Sequence, residues 1–115
     1  MVKSNVVQYM YWFYERFMYQ AKLPIPISQF MVLMLLMNEN RQSLTQVCQK
    51  LNRSKQQIHL VIDWLDSRQL VVKESATKDR RYIWLSITPK GRSVVEQYAI
   101  SVQHDVDELR ARLSG

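Results

Sequence analysis

Cysteine is almost missing from this chain: Cys48 stands alone among 115 residues, so no internal disulfide can form. No Cys/His cluster at metal-ligand spacing accompanies it. The two histidines, His59 and His104, lack a Cys, Ser or carboxylate partner in a nucleophilic or metal-binding arrangement. These gaps exclude a zinc module, a disulfide scaffold and a hydrolase built on a Cys-His or Ser-His pair. The chain is therefore expected to carry no metal or cofactor and to be no enzyme. Glycine (two) and proline (three) are scarce as well, and there is no repeat or low-complexity stretch, which implies closely packed elements joined by short connections. The longest apolar run, Phe30 to Met37, is far too short to span a bilayer, and the N-terminus has no signal-peptide pattern. A soluble, cytoplasmic protein with no membrane partner is expected.

What is present is a hydrophobic content of 47%, enough to build the core of one domain over residues 1–115. The net charge of +6 is unevenly spread. Residues 41–92 hold eleven basic and four acidic side chains, whereas the tail from Ser93 holds two basic and four acidic. A basic excess gathered in one segment is the footprint of a nucleic-acid binder, although a solvated surface can also carry it.

From Asn5 to Gln20 the sequence is apolar nearly all round, with Val6, Met10, Phe13 and Phe17 at helical spacing and tyrosines and Trp12 on other faces. A helix on a monomer needs only one apolar stripe, so the surplus points to a second burial surface, a partner subunit or a ligand pocket. Leu23-Pro24-Ile25-Pro26-Ile27 ends that helix, and Ser28 is the expected N-cap of a core helix running through Phe30 to Met37. Two capping boxes follow, Ser43-Leu44-Thr45-Gln46 and Ser54-Lys55-Gln56-Gln57. The first predicts a helix with Val47, Cys48 and Leu51 inward. The second predicts one with Ile58, Val61, Ile62 and Leu65 inward, only Asn52 and Arg53 separating the two, which makes a helix-turn-helix. Beyond Leu70 the period changes to two: Leu70, Val72 and Glu74 share one strand face, and Ile83, Leu85 and Ile87 alternate with Tyr82, Trp84 and Ser86. The polar stretch Ser75 to Arg81 between them reads as the charged tip of a hairpin, a wing. Thr88 and Pro89 then restart helix as N-cap and N1, with Val95, Tyr98, Val102, Val106, Leu109 and Leu113 in one stripe.

The segment Ser43 to Leu51, the run Ile62-Asp63-Trp64-Leu65 leading to Leu70-Val71, and above all Lys78-Asp79-Arg80-Arg81 followed by Leu85-Ser86-Ile87-Thr88-Pro89-Lys90-Gly91-Arg92 resemble the MarR family of bacterial regulators. Ser54-Lys55-Gln56-Gln57 is similar to its SarA-like branch. The resemblance implies a mainly α fold with a small two-stranded β wing, a winged helix-turn-helix over 43–88, and a helical dimerisation region drawn from both termini (5–22 and 89–113). It further implies a homodimer held through Val6, Met10, Phe13, Phe17, Val102, Val106, Leu109 and Leu113, and double-stranded DNA as partner, read as a pseudo-palindrome. A small-molecule effector, a repressor's or an activator's role, and dimer-held half-sites are all compatible with it. In one respect the chain departs from the family pattern: Arg68-Gln69-Leu70 stands where a small residue and a glycine are usual.

Within that frame Arg53, Ser54, Lys55, Gln56, Gln57 and His59 are the expected DNA-facing residues of the second helix, since the N-terminal part of such a helix meets base edges. Glutamine can pair bidentately with adenine, and lysine can reach guanine or phosphate. In the wing, Lys78, Arg80 and Arg81 are expected at the duplex, Arg81 foremost by resemblance, with Asp79 orienting an arginine. Cys48 is expected to be a buried structural thiol. The competing reading is a winged helix used for protein interaction or dimerisation without specific DNA readout, and salt-sensitive duplex binding separates the two.

Overall fold

A computed structural model describes residues 4–15, 23–76 and 79–114 of the chain; the side chains of Ser4, Ala76, Asp79, Arg80, Arg81, Leu113 and Ser114 are outside that description. The elements are α1 (Ser4–Tyr14), α2 (Ile27–Asn38), β1 (Gln42–Ser43), α3 (Leu44–Leu51), α4 (Lys55–Ser67), β2 (Val71–Ala76), β3 (Asp79–Ile87) and α5 (Pro89–Ser114). They fall into two units, one comprising Ile25–Gln97 and the other joining the segment up to Pro24 with the residues from Tyr98 onward.

Both capping boxes form. The Ser43 hydroxyl accepts from the Gln46 N–H at 3.1 Å while Gln46 Oε1 accepts from the Ser43 N–H at 2.8 Å. Ser54 and Gln57 repeat the exchange at 3.2 and 3.1 Å. Each box satisfies donors that a helix start would otherwise leave open. Between the helices Asn52 takes the left-handed conformation (φ 53°), which asparagine tolerates better than most residues, and closes α3. The turn is thereby held to Asn52, Arg53 and the N-cap Ser54. Behind it Val32, Leu33, Leu36, Val47, Ile58, Ile62, Leu65 and Leu85 are buried as one cluster, so α2 forms the floor on which the helix-turn-helix rests. The inward positions expected for α3 and α4 are all buried or half-buried.

Four local features add to or correct the expectations. First, the two-stranded wing forms from β2 and β3, and a short third strand joins it in the order β1-β3-β2. Arg41 at φ 65° turns the chain after α2 so that Gln42 and Ser43 lie antiparallel to Leu85 and Trp84. A strand of two residues is too short for alternation to reveal. Second, the N-cap position of α2 is Pro26 and not Ser28: the Pro26 carbonyl accepts from the Phe30 N–H at 3.0 Å, its ψ of 148° is still extended, and no side chain caps the start. Third, among the described side chains of β2 the buried one is Val71, with Val72 exposed. Leu70 is buried too, but it precedes the strand, in a turn that Gln69 makes at φ 61° and that the Leu70 N–H closes on Leu65 O at 2.9 Å. Gln69 therefore stands at a left-handed position that would suit the family's usual glycine. Fourth, the hairpin tip is narrower than the polar composition implied, because Ser75, Ala76 and Asp79 to Arg81 belong to the strands. The register shifts between Ser75 and Ala76: Ser75 faces Ile83 but Ala76 faces Asp79, so Arg80 and Arg81 lie in the irregular part of β3.

The N-terminal helix presents Val6, Val7, Met10, Tyr11, Phe13 and Tyr14 with 44 to 67% exposure, the apolar surplus that the sequence announced. Val102, Val106 and Leu109 on α5 are half-buried. Phe17 lies outside the described residues, and so does the side chain of Leu113.

Candidate nucleic-acid interface

On α4 the core-facing side chains Ile58, Ile62 and Leu65 leave Gln56, Leu60, Asp63 and Ser67 on the opposite face, all exposed. Ser54, Lys55 and Gln57 at the helix start are exposed as well, and His59 is half-buried toward one side. The two glutamines differ in what they can do. Gln57 Oε1 is committed to the Ser54 N–H, so a bidentate exchange with adenine, which needs the amide oxygen and nitrogen together, would break the cap. Gln56 makes no such bond among the described residues. Asp63 is tied down by Lys73 of β2, which donates to its carboxylate at 2.9 Å and lies 4.0 Å from Asp66. Arg68 stacks on Trp64 with its guanidinium carbon 3.6 Å from the ring centroid. The C-terminal half of α4 is thus fastened to the sheet and to itself, and its N-terminal half is open.

The basic residues sort in the same way. Lys50 is held by Gln42 Oε1 at 2.8 Å and by Glu39 at 3.1 Å, Lys90 donates to Arg68 O at 3.1 Å, and Arg41 lies between Glu74 (3.7 Å) and the Trp84 ring (5.0 Å). Arg53 and Lys55, by contrast, pair with no acidic side chain among the described residues. They flank the start of α4, and Arg53 borders a cavity of about 280 Å³ whose other walls include Ser28, Met31, Leu51, Gln57 and Ile58. In the wing, the backbone of Asp79, Arg80 and Arg81 runs in β3, while Lys78 lies outside the described residues.

Sequence reasoning missed the polar frame behind this surface. Gln42 is fully buried, and its amide nitrogen donates to Leu35 O at 2.8 Å and Glu39 O at 2.7 Å, stopping the end of α2. Asn40 accepts from the Arg41 N–H at 3.0 Å and from the Ile87 N–H at 3.1 Å, fixing α2 to β3. The available signal was an Asn-Glu-Asn-Arg-Gln run with no turn glycine. It does not reveal that one of these residues is buried.

Cys48 is buried on the inner side of α3. Burial pushes its thiol above the ordinary value of 9.0, against a weaker opposite pull from the Lys55 charge. Lys73 is likewise raised above 10.5, chiefly by its hydrogen bond to Asp63. Both groups stay protonated to higher pH when folded than when unfolded. The unfolded chain therefore binds fewer protons in that range, and stability falls as pH rises through 9 and beyond. Native protein at pH 8 should alkylate with iodoacetamide at least about tenfold more slowly than denatured protein, as a protonated, buried thiol requires. Equal rates would show that Cys48 is open to solvent. Among the described residues no group of His, Cys, Asp and Glu could hold a metal, and no helix is long and apolar enough to cross a membrane.

Residues 28–91 match the winged helix DNA-binding domain family. The chain is 29% identical over 87 residues to the HTH-type transcriptional regulator MhqR of Bacillus subtilis, across 76% of this chain, and spans 60% of that relative's length. Among solved structures it is similar to BpsR of Bordetella bronchiseptica, studied for regulation of its DNA binding by 6-hydroxynicotinic acid (TM-score 0.70, 22% identity, 92% of this chain and 82% of that one). It is also similar to a mutant MarR from E. coli complexed with operator DNA (TM-score 0.66, 24% identity, 76% of this chain and 63% of that one).

Proposed function

Since this chain belongs to the winged helix DNA-binding domain family, we propose that it is a MarR-type transcriptional regulator that binds a pseudo-palindromic operator as a homodimer. The observation that carries this reading is the division of the basic residues. Lys50, Lys73, Lys90 and Arg41 are engaged within the fold, and Arg53 and Lys55, at the open end of α4, pair with no acidic side chain among the described residues. Arg53 and Lys55, with Lys78, Arg80 and Arg81 of the wing, supply phosphate and minor-groove contacts, and Asp79 orients an arginine there. Ser54 and Gln57 hold the helix start in shape, Gln56 reads a base edge, and His59 borders the same groove. The role is binding and not catalysis. The exposed apolar face of α1 supports pairing with a second copy. BpsR responds to an aromatic acid, which supports including a small-molecule effector in the proposal.

Titration of a duplex selected from a random pool, beside a scrambled duplex, at several salt concentrations tests the reading. Wild type should prefer the selected, palindromic duplex and lose affinity steeply as salt rises. Gln56→Ala should cost about 1 to 3 kcal/mol on the selected duplex alone. Arg53→Ala and Arg81→Ala should weaken both duplexes and flatten the salt slope by roughly one unit each. Absence of salt-dependent duplex binding would overturn the proposal in favour of a protein-interaction module.

A further inference from the structure

Leu60 is 73% exposed, the most exposed large apolar side chain among the described residues of Ile25–Gln97. It lies one turn beyond Gln56 on the face opposite Ile58, Ile62 and Leu65, so the two project from the same stripe of α4. A lone exposed leucine on an ordinary surface needs no explanation. This one stands in the open half of α4, whose start Arg53 and Lys55 flank without an acidic partner among the described residues, and is bounded on its C-terminal side by Asp63, whose charge Lys73 neutralises at 2.9 Å. The cations draw a phosphate backbone to this face, and the salt bridge removes the repulsion that a bare carboxylate would add there.

We propose that Leu60 is a specificity-determining residue that packs on the C5-methyl group of a thymine in each half-site, one turn along α4 from the base edge read by Gln56. The inference rests on the DNA-binding role proposed above. The floor of the major groove offers hydrogen-bonding edges at every base pair and a single kind of apolar group, the thymine methyl. A leucine cannot satisfy the edges, so the methyl is the one feature it complements.

Replacing thymidines of the selected duplex one position at a time by deoxyuridine deletes the methyl and leaves every hydrogen-bonding group in place. Wild-type affinity should fall about fourfold per half-site at one symmetry-related thymine, the change that burial of one methyl group supports. Leu60→Ala should bind the thymidine and deoxyuridine duplexes equally, and Leu60→Met should restore the difference. Far-ultraviolet circular dichroism of both variants should match wild type, since the side chain contributes little to the core. A wild type indifferent to methyl removal at every thymine, or a Leu60→Ala protein that keeps the sensitivity, would overturn the assignment while leaving DNA binding intact. Failure of wild type to bind any selected duplex would overturn both readings together.

Discussion

Gly91→Ala should lower the melting temperature by roughly 10 to 20 °C, a loss of about 3 kcal/mol or more, as forced overpacking against rigid backbone does. A Cβ at this position would sit far inside contact with the Leu70 carbonyl oxygen and 2.8 Å from Ile87 Cγ1. Neither neighbour can yield cheaply. Leu70 O also accepts from the Thr88 N–H at 3.1 Å, and the Leu70 N–H, on the preceding peptide, is held by Leu65 O at 2.9 Å, so the residue is fixed on both sides. The surrounding lock is dense. Thr88 Oγ1 donates to Gln69 O at 2.7 Å and accepts from the Gly91 N–H at 3.0 Å, while Lys90 reaches Arg68 O. The Thr88-Pro89-Lys90-Gly91 block thus holds the first turn of α5 against the turn that ends α4, and the test is thermal unfolding followed by circular dichroism. A Gly91→Ala protein melting within about 2 °C of wild type would mean that the close approach is relieved at no cost, against the usual cost of overpacking.

The double variant Met10→Glu/Phe13→Glu should be monomeric by sedimentation at micromolar concentration and should bind the selected duplex about 10² to 10⁴ times more weakly than wild type. Both side chains are more than half exposed on α1, and the buried cluster of Ile25–Gln97 draws on no residue of that helix. The substitutions should therefore spare the unit that carries α4 and the wing. What they remove is linkage: with two half-sites about 34 Å apart, one subunit's binding places the other at high local concentration. Binding to a single half-site should be unchanged, which separates loss of pairing from loss of the DNA surface. A double variant that still sediments as a dimer would place the interface elsewhere.

Much of the fold and part of the site could be read from contiguous residues. Capping boxes, the period of the apolar residues and the local density of charge are each set within a few positions of the chain, where backbone geometry alone fixes which groups meet. That is why the start of α3, the two-residue turn before Ser54, the inward faces of α3 and α4 and the wing were all legible. The same locality explains why Gln56 and Gln57 looked alike: the capping box was visible, but its claim on the Gln57 oxygen matters only when the ligand's geometry is considered too.

Other features depended on residues distant in sequence. Nothing near Gln42 announces that it is fully buried, because its burial comes from β1 joining β3 some forty residues on. Lys73 and Asp63 are ten positions apart and meet only because β2 folds back along α4. The sequence by itself determined the element order, the helix starts and the basic segment. Tertiary structure decided which cations remain free, which carboxylate is neutralised and why Gly91 must be glycine, because these depend on distances across the fold that no local pattern encodes.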